Sequence, residues 1–173
     1  MAKKIIEVVL GEDEIGRAIK ELEAYKTSLK AKKELILKKL GYIGVKEASV
    51  RFTTAMYDGV NDSKVTLTKI PNGYAIVAKG QAVAFIEFGA GVYHNGGEPY
   101  PNPRPSGISP IGGYGQGKGK RRAWFYKGNP GSNGELKSNG VVKTRGNPAA
   151  MPMWYASEDM RKAILKIARE VFR

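Results

Sequence analysis

SKVTLTKIPNGYAIVAK, residues 63–79, decides the class of the fold. Its first half alternates apolar and polar residues, the period of a half-buried strand. Pro71-Asn72-Gly73 then makes a turn, because proline presets the first central angle and Asn-Gly tolerates positive φ. Residues 74–79 (YAIVAK) return as the partner strand. A hairpin alone cannot bury a face, so the segments on either side must cover it.

Upstream, Ile15, Ile19, Leu22, Tyr25, Leu29, Ile36 and Leu40 recur at helical spacing, which predicts an amphipathic helix over residues 12–40. Glu12, Asp13 and Glu14 meet the positive end of its dipole, and Lys38 and Lys39 sit in its last turn. Gly41 is expected to stop it by taking a left-handed conformation. Asp13 with Arg17 and Glu34 with Lys38 are acid-before-base pairs four apart, each worth a few tenths of a kcal/mol. A second, weaker helix is expected at 43–57, lowered in propensity by its threonines. Residues 3–10 (KKIIEVVL) read as a short strand ended by Gly11.

Downstream, residues 82–88 (AVAFIEF) form an apolar block too short to assign by period. Between Gly89 and Arg121 stand ten glycines and five prolines, a composition that builds no packed core. Residues 123–127 and 141–145 read as short strands around a Gly/Asn/Ser loop at 128–140. The clearest element closes the chain. Met153, Ala156, Met160, Ala163, Ile164, Ile167, Ala168 and Val171 make one stripe, and Pro152 suits the first helical turn. The expected architecture is α+β: an antiparallel sheet with the long N-terminal helix and the C-terminal amphipathic helix packed on it. Residues 1–173 are expected to form one domain carrying a flexible basic loop at about 89–122.

Composition narrows the chemistry. The 173 residues include no cysteine, which removes disulfides, thiolate metal sites and cysteine nucleophiles. His94 is the only histidine, in the stretch YHNGGEP, where a solvated loop residue is expected. MAKKIIEVVLGEDEIG has too short an apolar run for a secretory signal, and no stretch approaches the roughly 18 apolar residues of a membrane span. A protein made in the cytoplasm and soluble there is expected. Gly112 to Lys118 fit the spacing GxxxxGK, but the preceding flank is proline-rich and Gly119 stands where a P-loop carries Ser or Thr for magnesium. No cofactor or metal is expected. Glu87, flanked by Phe85, Ile86 and Phe88, must either face water or meet a base, and a salt bridge or a hydrogen bond to nearby backbone is expected. A catalytic role would need a second convergent polar group, which the sequence does not show.

Net charge is +13, from 29 basic and 16 acidic residues. No acid occurs between Glu98 and Glu135, while Arg104, Lys118, Lys120, Arg121 and Arg122 do, interleaved with Tyr100, Tyr114 and Trp124. This is the candidate contact surface. Docking on an acidic neighbouring protein is favoured, since Arg and aromatic residues anchor such interfaces. Phosphate contact with aromatic stacking, as in a nucleic-acid-binding module, is the alternative.

The order of these features resembles the gene-product-ten-like family of tailed phages, the neck, tail-completion or head–tail joining proteins. The resemblance rests on Phe85, Ile86, Glu87, Phe88, Gly89 and Gly91, then Trp124, Thr144, Gly146, Pro148, Ala149, Pro152 and Met153, then Ala156 and the helix to Phe172. Ala90 departs from the threonine of E-F-G-T-G, and Met153-Trp154 replaces a usual phenylalanine. What the resemblance implies is a non-enzymatic virion subunit, assembled in the host cytoplasm. It would form a homo-oligomeric ring, commonly six-fold, between the capsid connector or head-closure protein and the tail terminator or tail tube. Non-specific contact with DNA in transit and no membrane association go with that role.

Overall fold

The computed structural model describes residues 11–89, 123–132 and 134–173. The element order is α1 (Glu12–Thr54), β1 (Lys64–Ile70), β2 (Gly73–Lys79), α2 (Val83–Phe88), β3 (Trp124–Tyr126), β4 (Glu135–Leu136), β5 (Val142–Thr144) and α3 (Pro152–Val171). The fold is α+β, with two small antiparallel sheets in place of the one expected. β1 pairs with β2 from Lys64↔Lys79 to Ile70↔Gly73, so Pro71-Asn72 forms a two-residue connection. The second sheet has the order β3-β5-β4. The strand expected at 3–10 lies outside the described residues.

The expected break at Gly41 is corrected. One helix of 43 residues runs from Glu12 to Thr54, about 64 Å at 1.5 Å per residue. Its glycines serve packing. A Cβ on Gly41 would lie 2.5 Å from Leu67 Cδ1, and one on Gly44 would lie 2.2 Å from Ile76 Cδ1 and 2.6 Å from Met160 Sδ. Without side chains there, the hairpin and α3 both reach the helix backbone. Thr53 and Thr54 are tolerated in the last turn because their hydroxyls donate to the carbonyls of Ser49 and Val50, four residues back.

α3 runs antiparallel to α1. Arg51 and Asp159 pair at 2.9 Å near one end, Lys39 and Glu170 at 3.5 Å near the other. Lys32 stands over the ring of Phe172 just past the end of α3, 5.1 Å from its centroid. The hairpin tip is tied to the same stretch of α1, where Tyr74 donates to Glu34 at 2.8 Å and Lys69 pairs with Glu34 at 3.0 Å. Glu34 therefore pairs across the fold where Lys38 was expected, and Arg17 pairs with Glu14, three residues away. The Tyr74 hydroxyl, then Lys69, hold the Glu34 carboxyl below its usual range.

Ala48, Phe52, Ala82, Ile86 and Ala156 form the core, with Val65, Ala78 and Met153 packed against it. This core joins the C-terminal half of α1 to the hairpin, α2 and the start of α3. The elements that pack on α1 among the described residues meet its C-terminal half. Apart from buried Ala18 and half-buried Glu14, the described side chains of residues 13–31 are exposed. The apolar stripe at Ile15, Ile19, Leu22, Tyr25 and Leu29 lies in solvent, 37% to 54% accessible, where the sequence pattern suggested core. No helix among the described residues is long and apolar enough to cross a membrane.

Candidate functional site

The motif residues at 85–89 and 144–153 come from two distant stretches and meet at the start of α3. No polar side chain caps that start locally: Met151 precedes Pro152 and takes a left-handed backbone, φ 52° and ψ 44°. Such a conformation costs an L-residue roughly 1–2 kcal/mol. The orphan N–H groups of the first turn need acceptors. Glu87 supplies them from α2. Its carboxylate accepts from the N–H of Met153 at 2.9 Å and of Trp154 at 3.2 Å, across 66 and 67 residues of sequence. Glu87 is 4% exposed, so its charge is stabilised by these donors and by the positive end of the α3 dipole. Glu87 does hydrogen-bond to backbone, as one of the expected readings had it, but to backbone distant in sequence.

The neighbours of Glu87 complete the joint. Phe88 is buried against Met151, with Ala84, Ala149 and Trp154 around them. The Ile86 carbonyl accepts from the N–H of Ala150 at 2.9 Å. Gly89 takes φ 71°, and a Cβ there would stand 2.7 Å from the Ala149 nitrogen and 2.9 Å from the Asn147 oxygen, so only glycine fits. The chain before α3 is shaped by Gly146, at φ 94°, whose N–H donates to Thr144 Oγ1 at 2.9 Å. Pro148 then passes over Gly89, and Pro152 fills the first helical position.

Asn147, buried beneath these residues, was not singled out by its sequence. Its side-chain oxygen accepts from the Asp58 N–H at 2.9 Å, and its amide nitrogen donates to the Asp58 carboxylate. This pins the segment before α3 to the chain leaving α1. Asp62, four residues on, accepts from the N–H groups of Gln81 and Ala82 at 2.8 and 2.9 Å and seats the start of α2. The Ala82 N–H, then that of Gln81, hold the Asp62 carboxyl below its ordinary value. A depressed carboxyl contributes stability above its unfolded pKa and loses it as pH falls through the folded one. The second sheet docks on the same connection, where the Tyr126 hydroxyl donates to the Asp58 carbonyl at 3.2 Å and the Ser132 N–H to that of Tyr57 at 2.9 Å.

Trp124 opens β3, opposite Thr144 of β5. Gly91, His94, Arg104, Tyr114, Lys118, Lys120, Arg121 and Arg122, and the rest of the basic loop, lie outside the described residues. Among the described residues no group of three or more His, Cys, Asp or Glu side chains could hold a metal ion. Glu87 and Asp62 both bind backbone N–H groups, so the chemistry of this joint is helix capping. A scan against protein-family models and searches of curated proteins and of solved structures found no match to the chain.

Proposed function

We propose that this chain is a structural subunit of a bacteriophage head–tail junction, a neck or tail-completion protein that forms a ring joining capsid connector and tail, and that it is not an enzyme. One observation carries the reading. The described residues on which the phage resemblance rests, Glu87 to Gly89 and Thr144 to Met153, gather into a single joint that sets α3 against α2. A motif with that role is what a family sharing a fold and an assembly geometry would retain. Glu87, the carboxylate best placed by sequence for chemistry, is engaged in holding a helix.

In this reading the subunit resides in the virion neck after assembly in the host cytoplasm. The basic 89–122 loop, with Arg104, Tyr114, Lys118, Lys120, Arg121, Arg122 and Trp124 just beyond it, contacts the neighbouring subunit or the adjoining ring. Electron microscopy and light scattering on the purified chain, alone and with the connector and tail proteins encoded beside it, test this. Rings that bind one of those proteins are expected. A strict monomer that binds neither sinks the proposal. Steeply salt-dependent DNA binding, lost when Lys118, Lys120, Arg121 and Arg122 become alanine and unaccompanied by rings, would favour a nucleic-acid-binding module instead.

A further inference from the structure

The chain leaves the described residues at Gly89 and re-enters them at residue 123. The stretch between is long enough to span roughly 110 Å when extended. Its two ends are nonetheless held at one place. Gly89 lies against the backbone of Asn147, Pro148 and Ala149, and the carbonyl of Ile86 accepts from the N–H of Ala150. On the other side Trp124 pairs with Thr144, Phe125 with Lys143 and Tyr126 with Val142. Thr144 and Asn147 are at most about 11 Å apart along the chain, and paired strands lie about 5 Å apart. The two ends therefore sit within roughly 20 Å of each other, beside the start of α3.

The two anchorages share their parts. Thr144, the partner of Trp124, accepts from the Gly146 N–H at 2.9 Å, and Asn147 follows at once. Asn147 binds Asp58 through both its side-chain oxygen and its amide nitrogen. The second sheet grips the same short stretch, with the Tyr126 hydroxyl on the Asp58 carbonyl and the Ser132 N–H on that of Tyr57. From the other end Glu87, two residues before Gly89, accepts from Met153 and Trp154. Ile86, Glu87, Val142, Thr144 and Asn147 are all buried. Buried polar groups that share partners are lost together, because each one left unpaired costs its full desolvation. The hairpin tip has an anchorage of its own, on Glu34 of α1.

We infer that the start of α3 is one clamp for both ends of residues 90–122: the pairing of β3 with β5, the seat of Gly89 and the cap on α3 form and break as a unit. A pull on that stretch is then a pull on α3, and the hairpin tip does not feel it. Coupling of this kind is reciprocal, so a contact that steadies the stretch also steadies the first turn of α3. The clamp stands on the contacts above, and its part in assembly rests on the ring reading.

Native-state amide exchange in a denaturant series tests this on the full chain. Asn147→Ala is expected to speed exchange of the Met153 and Trp154 amides and of β3 by one common factor, roughly tenfold, with residues 67–76 at the hairpin tip unchanged. Glu87→Gln is the milder change and is expected to move the same two groups together by roughly fivefold. It carries the test if Asn147→Ala does not fold. Faster exchange at Met153 and Trp154 with β3 unmoved overturns the clamp. So does equal acceleration at the hairpin tip, which would mean global unfolding. Samples that light scattering shows to be oligomeric give a second arm, in which β3 and the first turn of α3 are expected to slow together. Slowing of β3 alone overturns the clamp. A chain that stays monomeric sinks the ring reading, while the two variants still decide the clamp.

Discussion

The two halves of α1 share one helix and one apolar stripe, yet one half packs into the core and the large apolar side chains of the other are exposed. From Leu37 to Phe52 the helix presents Gly41, Gly44 and Ala48, and the hairpin and α3 come down onto its backbone. From Ile15 to Leu29 it presents the bulky side chains of Ile15, Ile19, Leu22, Tyr25 and Leu29, all exposed, with buried Ala18 among them. Periodicity is a property of the local sequence, and burial is a property of what arrives to cover it. Small residues mark where a partner in the same chain comes close.

Filling the glycines with side chains should separate the two halves most strongly. Gly44→Leu places side-chain atoms where Ile76 and Met160 already stand, so it is expected to cost about 3 kcal/mol and lower Tm by about 10 °C. Gly16→Leu, with nothing within 4 Å of its added Cβ, is expected to change global stability by less than about 0.5 kcal/mol and to raise helix content. Thermal melts of the two variants by circular dichroism decide the point. Equal losses would mean that the halves of α1 are not in different environments.

The covered half depends on α3 being held in place, and Glu87 holds its start. Glu87→Ala leaves the N–H groups of Met153 and Trp154 without that acceptor, at an expected cost of about 2 kcal/mol. Glu87→Gln keeps one carbonyl acceptor and should cost about half as much. Amide exchange gives the sharper readout. In Glu87→Ala, protection across Gly41–Phe52 is expected to fall toward that of residues 15–31, which stay unchanged. A uniform fall across the whole helix would show that the two halves open together.

Much of the fold was legible because its signals are local. The alternation of 63–70, the Pro71-Asn72-Gly73 turn and the stripe after Pro152 each determine their element within a few residues, and β1, β2 and α3 follow them. Gly41 misled because a glycine that ends a helix and a glycine that admits a neighbour look alike in one dimension. Only Leu67, 26 residues away in sequence, tells them apart. The joint at the start of α3 was half legible. A carboxylate within AVAFIEF had to find water, a base or backbone N–H groups, but no spacing rule connects positions 66 residues apart. The Asn147–Asp58 pair spans 89 residues and left no local trace at all.

The smallest expected effect bears on the N-terminal half alone. Most of its side chains are exposed, and its helix propagates from the nucleus that the packed half supplies. In dilute solution, amides of residues 15–31 should therefore exchange far faster than those of 41–52, though both belong to one helix. If ring assembly covers this half, protection at 15–31 should rise with protein concentration while that at 41–52 stays constant. A concentration-independent pattern would mean that assembly leaves residues 15–31 uncovered. A rise in both stretches together would mean that assembly stabilises the whole subunit, and that the boundary near Lys32 separates packing without separating stability.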